Sequence, residues 1–258
     1  MNYLEITIQD RIGYITLNRP EKRNAFNQQL VSELNEAFTQ MENNNEVRVV
    51  VLKARGEVFC AGADLEYLQK LQTFSYEENL EDSSFLASVY QKIYELGKPV
   101  IAQVQGHAIA GGAGLATVCD FCYTVPEAKF GYTEVKIGFV PAIVSYFLSK
   151  KIGEGQARTL LLKGDLIDAE MALKLGIAHQ ICSPDSLESD VRKLADTLIK
   201  TTSGESLRLT KKLISEINSA DSATEAMKIG ATYNAKSRAT EDCKKGIAAF
   251  LNKEKITW

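Results

Sequence analysis

The first part of the chain alternates between strand and helix patterns. Residues 4–8 and 13–17 alternate apolar and polar positions around Asp10-Arg11, which predicts an early hairpin. An apolar run at residues 47–52 predicts a strand covered on both faces. Between these regions, four apolar residues recur at the spacing of one helix face: Leu30, Leu34, Phe38 and Met41. The polar residues 72–84 follow no period, and we expect an irregular, mobile segment there.

The alternation continues to about residue 182 and then stops. Further strands are predicted at 99–104, 121–125 and 178–181, with helices at 111–119, 141–150 and 154–163. From residue 184 onward only helical periods occur, at 187–200, 205–218, 223–236 and 241–253. The chain is therefore predicted to have an α/β core, residues 1–190, and a helical C-terminal region, residues 191–258.

Composition is typical of a soluble globular protein. Of 258 residues, 45% are hydrophobic and 24% charged, and the net charge is −3. This charge gives no general reason to bind nucleic acid or an anionic membrane. The N-terminus lacks a signal-peptide pattern, and the uncharged stretch 99–119 interleaves glycines and polar residues. We expect a cytoplasmic protein that does not enter a membrane.

The five cysteines do not indicate a disulfide framework, because they are odd in number and widely spaced. Cys119 and Cys122 form a C-x-x-C sequence in an apolar setting. A zinc site would need two further ligands at suitable spacing. We therefore expect buried structural thiols and no metal.

The densest glycine cluster, residues 106–114, follows a predicted buried strand and opens an apolar helix. Such a turn lets a ligand approach the backbone, and the free N–H groups of the helix favour a phosphate or a developing oxyanion. Neither G-x-G-x-x-G nor G-x-x-x-x-G-K-S/T can be read here, which weakens the phosphate alternative. Close packing of helix on strand would explain the glycines equally well.

A second small-residue turn, Phe59 to Leu65, also lies between a strand and a helix. Two such turns at the ends of two buried strands can direct two backbone N–H groups at one point, as an oxyanion hole requires. Loss of one donor from such a hole typically costs about 2.7–4 kcal/mol of transition-state stabilisation.

Glu134 is the candidate proton carrier. It precedes an apolar stretch that contains Gly138 and Pro141, and a carboxyl group beside apolar atoms has a raised pKa suited to proton transfer. The alternative is an acid that stabilises a helix N-terminus. The G-x-S-x-G and H-E-x-x-H sequences are absent, so neither a serine hydrolase nor a zinc hydrolase is indicated.

Together, these motifs resemble the enoyl-CoA hydratase/isomerase (crotonase) superfamily over essentially the whole chain. The resemblance implies a spiral of ββα units and a helical C-terminal region that forms homotrimers or homohexamers. It also implies an acyl-CoA thioester substrate, with coenzyme A as part of that substrate and no cofactor. The matching residues are Asn18-Arg19-Pro20, Asn24-Ala25, Phe59 to Leu65, Lys98 to Ala102, Gly106, Gly111-Gly112, Leu115-Ala116, Cys119-Asp120, Glu134, Ile137-Gly138, Ala249-Phe250 and Lys253.

The resemblance also implies roles for individual residues. The N–H groups of Ala61 and Gly111 would hold the thioester oxygen, and Glu134 would handle the proton beside the thioester. The other residues implied to bind substrate are Lys22, Arg23, Ala25, Ala63, Asp64, Leu65, Gly112, Phe250 and Lys253. Of these, Phe250 and Lys253 would reach coenzyme A across a subunit interface, and Lys22 and Arg23 would lie near its nucleotide.

One departure from the two-glutamate hydratases affects the predicted reaction. The helix after the glycine turn carries Gly114 where those enzymes have a first glutamate. A single glutamate is similar to the enoyl-CoA isomerases, whereas the residues around Glu134 resemble bacterial 3-methylglutaconyl-CoA hydratases. We therefore expect hydration of a short branched or carboxylated 2-enoyl-CoA. Helper acids could come from Glu78, Glu81 or Asp82.

Three alternatives remain open at this point. The first is a Δ3,Δ2-enoyl-CoA isomerase that uses Glu134 alone, and the second is a decarboxylase or dehydratase of polyketide β-branching. The third is an inactive relative that binds coenzyme A or RNA, although Glu134 and the acidic composition argue against it.

Overall fold

Ten strands form two sheets in the computed structural model, which describes all residues from 1 to 258. The strands are β1 (Leu4–Gln9), β2 (Ile12–Leu17), β3 (Val49–Ala54), β4 (Val58–Cys60), β5 (Val100–Val104), β6 (His107–Ile109), β7 (Phe121–Thr124), β8 (Lys129–Gly131), β9 (Leu166–Asp168) and β10 (Gln180–Ile181). The main sheet has the order β1-β2-β3-β5-β7-β10, and the small sheet has the order β4-β6-β8-β9.

Eleven α-helices and two short 3₁₀ helices complete the chain. The α-helices are α1 (Gln28–Asn43), α2 (Leu65–Leu71), α3 (Tyr76–Glu95), α4 (Gly111–Val118), α5 (Ala142–Ile152), α6 (Glu154–Lys163), α7 (Ala169–Leu175), α8 (Leu187–Thr201), α9 (Gly204–Ile217), α10 (Ala223–Ala239) and α11 (Glu241–Leu251). The 3₁₀ helices are Pro20–Lys22 and Glu134–Ile137.

Three successive ββα units form the centre of the two sheets. The first strands of these units, β3, β5 and β7, are parallel neighbours in the main sheet, and the second strands, β4, β6 and β8, are parallel neighbours in the small one. Each pair leads into a helix: α2, α4 and, after the 3₁₀ helix Glu134–Ile137, α5. This is the spiral of ββα units that the resemblance implies. The loops that leave the small sheet consequently meet at one edge.

The predicted hairpin and the main-sheet strands are confirmed. β1 and β2 pair antiparallel, with Leu4 opposite Leu17 and Ile6 opposite Ile15. Their turn residues, Asp10 and Arg11, have φ of 50° and 67°. Positive φ at both central residues matches the right-handed twist of a two-residue hairpin, which explains a tight turn here without glycine.

Sequence patterns failed in two places. The small sheet was missed, because its strands have only three residues each and show no measurable period. The expectation of an irregular segment at residues 72–84 is wrong. The α3 helix begins at Tyr76, after a capping box in which Ser75 and Glu78 satisfy each other's backbone N–H groups.

The C-terminal helices fall into two groups. α8 buries Val191, Ala195 and Ile199 in the main core, whereas α9, α10 and α11 pack on one another. Residue 190, the predicted boundary between core and C-terminal region, lies within α8. Phe250 and Leu251 at the end of α11 are 82% and 72% exposed.

The predicted buried thiols are confirmed. Cys119 and Cys122 are almost fully buried, and burial raises the pKa of both groups. Neither thiol is therefore prepared to act as a thiolate. None of the eleven helices combines the length and the hydropathy that crossing a bilayer requires.

The glycine cluster provides close packing as well as a turn. A β-carbon placed on Gly112 would lie 2.2 Å from the carbonyl oxygen of Cys60, so α4 runs directly against the end of β4. The two backbones approach this closely only because residue 112 has no side chain. This contact sets the distance between the first turn of α4 and the end of β4.

We expect Gly112→Ala to lower the free energy of unfolding by about 1–3 kcal/mol, because backbone atoms of β4 and α4 would have to separate. The matched control is Gly155→Ala in α6, where an added β-carbon meets nothing within 4 Å. That variant should be neutral or slightly stabilising. Chemical unfolding of both variants tests this expectation, and equal stability of Gly112→Ala and wild type would contradict it.

Candidate functional site

A cavity of about 780 Å³ opens where the loops of the small sheet meet α2, α3 and α5. Ala61 and Ala63 contribute from the loop after β4, and Ala110 and Gly111 from the start of α4. Glu134 lies on a further wall. The structure therefore brings together the three predicted elements, and most of the remaining lining is apolar.

The two small-residue loops touch each other. A β-carbon on Gly62, whose φ is 85°, would lie 2.9 Å from Cβ of Ala110 and 3.7 Å from the backbone nitrogen of Gly111. Ala110 itself has φ of 50° and ψ of −123°, an uncommon conformation for a residue with a side chain. The contact between Gly62 and Ala110 therefore coincides with an uncommon backbone conformation at Ala110.

The two predicted oxyanion donors differ in their bonding. Gly111 is the first residue of α4, so its N–H has no acceptor within the helix. The N–H of Ala61 donates to the carbonyl of Arg23 at 3.1 Å. To bind a thioester oxygen as well, Ala61 would share its hydrogen between two acceptors in a three-centre bond. Gly111 is therefore the more available donor.

Glu134 begins the 3₁₀ helix Glu134–Ile137 and presents a carboxylate to the cavity. Its Oε2 is buried and has no hydrogen-bond partner. Burial raises the pKa of Glu134, and a hydrogen bond from its own backbone N–H opposes that effect only in part. An unpartnered carboxylate of raised pKa is suited to accept and return a proton near neutral pH.

The position of the missing glutamate is filled by other side chains. A β-carbon on Gly114 would lie 2.1 Å from Cγ1 of Val144 and 2.9 Å from Cε1 of Tyr90. Both neighbours are buried, and both line the cavity. The second carboxylate is thus absent from the sequence and has no room in the structure.

The candidate helper acids lie on the wall formed by α3. Glu78, Glu81 and Asp82 all line the cavity, and Asp82 accepts a hydrogen bond from Tyr67. Glu78 is engaged in capping α3. The causes of the raised pKa of Glu134 include no second carboxylate.

The cavity contains no basic side chain. Its charged lining residues are all acidic, namely Glu78, Glu81, Asp82 and Glu134. A negatively charged acyl tail would find no counter-ion there, and burying a charge without one is costly. The lining is therefore suited to an uncharged acyl group.

The predicted residues around Asp64 have mainly structural contacts. Asp64 caps α2 by accepting from the N–H of Glu66, and it pairs with Arg19 at 2.6 Å in a buried contact. Burial alone would raise the pKa of Asp64, but these hydrogen bonds and the Arg19 charge lower it overall. Arg19 also donates to the carbonyl of Ala25 at 3.0 Å, which ties the loop before α1 to α2.

Most of the other predicted residues lie outside the lining of the cavity. Leu65 lines it and is 77% exposed, whereas Lys22 lies outside and pairs with Glu66 at 2.7 Å. The remaining predicted residues outside the lining are Arg23, Ala25, Asp64, Gly112, Phe250 and Lys253. Within one chain, the structure does not bring the C-terminal pair to the cavity.

Sequence reasoning missed Tyr90 and Val144. Tyr90 occurs in a helical pattern with Val89 and Ile93, which indicates only a core position. Val144 lies in an apolar run that indicates a buried helix. Nothing local in the sequence shows that these side chains meet beside Gly114, because α3 and α5 are about fifty residues apart in the chain.

Comparisons with known proteins agree with this architecture. A family model described as enoyl-CoA hydratase/isomerase matches residues 7–258. A Thermus thermophilus protein, provisionally named an enoyl-CoA hydratase, is 40% identical over 242 residues, which are 94% of this chain and 95% of that protein. A crotonyl-CoA hydratase of Syntrophomonas wolfei is 32% identical over 253 residues, covering 97% of this chain and 95% of that protein.

A solved structure shares the fold throughout. The enoyl-CoA hydratase of Shewanella pealeana superposes with a TM-score of 0.93 at 30% identity, covering 99% of this chain and 96% of that one. Sequence and structure thus agree over the same residues that form the ββα spiral and its cavity. The chain belongs to the enoyl-CoA hydratase/isomerase family of enzymes, with the crotonase fold.

Proposed function

We propose that the protein adds water to a short 2-enoyl-CoA, with coenzyme A entering only as part of the substrate. The observation that carries this proposal is the unpartnered Oε2 of Glu134, buried in the same cavity as the free N–H of Gly111. The crotonyl-CoA hydratase of Syntrophomonas wolfei supports this class of reaction.

The thioester oxygen would accept hydrogen bonds from the N–H groups of Gly111 and Ala61. Negative charge grows on this oxygen as water adds to the β-carbon, so donors directed at it lower the barrier. Glu134 would take a proton from the attacking water and return a proton to the α-carbon as the enolate collapses. One carboxylate then serves as base and acid in turn, which balances the protons.

The lining favours one of the two predicted acyl classes. A carboxylated tail such as that of 3-methylglutaconyl-CoA would be placed among four carboxylates with no cation in the cavity. A branched, uncharged tail would contact apolar side chains, among them Leu68, Phe85 and Ile143. We therefore propose a short, uncharged and branched 2-enoyl-CoA as the substrate.

Isomerisation of a 3-enoyl-CoA is the second candidate, and the blocked space beside Gly114 favours it. Glu134 would remove a proton from the α-carbon and return it to the γ-carbon, with the enolate held by the same two N–H groups. This reaction requires no water, and therefore no second group to orient one.

The C-terminal residues support an assembly of identical subunits. Met227 on α10 and Ile247 and Phe250 on α11 are all more than half exposed. Exposure of large apolar side chains to water is unfavourable, and it is typical of a surface that binds another protein chain. We propose that this region joins copies of the chain into a homotrimer or homohexamer. Phe250 and Lys253 would then reach coenzyme A bound to a neighbouring copy, opposite Lys22 and Arg23.

The first experiment incubates the protein in heavy water with crotonyl-CoA, 3-methylcrotonyl-CoA and 3-methylglutaconyl-CoA, with mass spectrometry of the products. We expect gain of one water with deuterium at the α-carbon, fastest for an uncharged substrate. The control is Glu134→Gln, which keeps the shape of the side chain but cannot accept a proton. Its turnover should fall by at least about 10³-fold, while thioester binding by calorimetry stays within about threefold.

Each outcome of this panel bears on one part of the proposal. A moved double bond in a 3-enoyl-CoA, without added water, would replace hydration by isomerisation. Fastest turnover of 3-methylglutaconyl-CoA would contradict the assignment of an uncharged acyl group. Near-normal turnover by Glu134→Gln would remove this residue from the mechanism.

The pH dependence of kcat/KM provides an independent measurement. Glu134 must be ionised to take a proton from water, and burial raises the pKa of this group. Activity should therefore fall as the pH drops through that raised pKa, at a higher pH than an ordinary, exposed glutamate would give. An acid limb at or below the usual glutamate range would contradict the proposed role.

Introducing the missing acid should not improve hydration. Gly114→Glu places its side chain against Val144 and Tyr90, and we expect a loss of stability of about 1–3 kcal/mol together with lower turnover. The double variant Gly114→Glu/Val144→Ala removes the nearest clash and should recover part of the stability. Faster hydration by Gly114→Glu alone, at unchanged melting temperature, would contradict the steric argument.

A further inference from the structure

Tyr90 joins α3 to the first turn of α4 through one buried hydrogen bond. Its side chain is 1% exposed, and its hydroxyl donates to the carbonyl oxygen of Gly111 at 2.5 Å. No other side chain in the structure bonds to Gly111. The phenol ring packs near Phe147, at a centroid distance of 6.2 Å, and against the backbone at Gly114.

The peptide groups that precede this bond are under strain. Ala110 has a positive φ, although it carries a side chain, and such conformations persist only where surrounding contacts enforce them. Two backbone bonds hold Ala110: its N–H donates to Gly131 at 2.6 Å, and its carbonyl accepts from Gly114 at 3.0 Å. Gly111 has no side chain with which to fix its own orientation. The Tyr90 bond restrains Gly111 from its carbonyl side, from outside the helix, while the bonds of Ala110 restrain the peptide group that carries the N–H.

The chemistry of Tyr90 excludes a role in carrying protons. Burial raises its pKa well above the ordinary tyrosine value, and the nearby acids Cys60 and Glu134 add to that effect. The hydroxyl is therefore protonated near neutral pH. Its one hydrogen is directed at Gly111, so Tyr90 acts as a constant donor.

We propose that Tyr90 is a positioning residue, which orients Gly111 so that its N–H is directed at the thioester oxygen. This inference rests on the proposed role of Gly111 in stabilising the enolate. Small displacements of a group that acts on the transition state reduce rate more than they reduce substrate binding. Loss of the Tyr90 hydroxyl should therefore appear in kcat rather than in KM.

The test compares Tyr90→Phe with Thr117→Val, using the substrate that the wild-type enzyme turns over fastest. Thr117 is a matched control, because its buried hydroxyl also donates to a carbonyl of α4, that of Ala113 at 2.7 Å, and makes no bond to Gly111. We expect Tyr90→Phe to lower kcat about tenfold with KM within about twofold. Thr117→Val should change kcat by less than twofold, although both variants lose some thermal stability.

A spectroscopic measurement separates positioning from general destabilisation. Butyryl-CoA labelled with ¹³C at the thioester carbonyl binds but cannot be hydrated, and its carbonyl stretching band moves to lower frequency when strong donors act on the oxygen. The shift on binding should be smaller for Tyr90→Phe than for wild type. It should be unchanged for Thr117→Val.

The outcomes distinguish this inference from the proposed function. If the wild type hydrates its substrate, Glu134→Gln is inactive, and Tyr90→Phe keeps both kcat and the carbonyl shift, only the positioning role is wrong. If the wild type catalyses neither hydration nor isomerisation, the proposed function itself is wrong. Should Tyr90→Phe not fold, 3-fluorotyrosine at position 90 keeps the packing and strengthens the donor. An unchanged carbonyl band in that protein would also overturn the inference.

Discussion

The close approach of two backbones at the edge of the small sheet is the constraint on which the site depends. α4 reaches Cys60 only because Gly112 lacks a side chain, and the loop at Gly62 meets Ala110 for the same reason. These contacts place the N–H of Gly111 beside the loop that carries Ala61. Where backbone N–H groups are the donors, their positions are set by the packing of helices and strands and not by the type of side chain.

The absence of an acidic side chain at Gly114 is part of the packing of the site. Val144 and Tyr90 fill the space beside Gly114, and Tyr90 in turn bonds to Gly111. The lack of a side chain at Gly114 thus leaves room for the aromatic ring that bonds to the neighbouring residue Gly111. In the proposed mechanism Glu134 makes every proton transfer, which would limit the enzyme to reactions in which one base can return the proton that it removes.

Much of this fold could be predicted from the sequence, and the limits have physical causes. Strands of five or six residues and amphipathic helices such as α1 have a period that can be read directly. The three-residue strands of the small sheet are too short to show such a period, and they form only in the context of the rest of the fold. Glu134, Ala61 and Gly111 were predicted as a set, but the support from Tyr90 comes from a contact between distant helices. The implied contacts of Phe250 and Lys253 require a second chain and stay a prediction.

The acidic wall of the cavity affects how a substrate arrives. Glu78, Glu81 and Asp82 face the opening, whereas the phosphates of coenzyme A are strongly negative. Mutual repulsion would keep the nucleotide end away from α3, so that an acyl-CoA approaches with its uncharged tail leading. Dissolved ions weaken such repulsion over distances of about 10 Å at 0.1 M. The acidic wall would therefore orient the substrate best at low ionic strength.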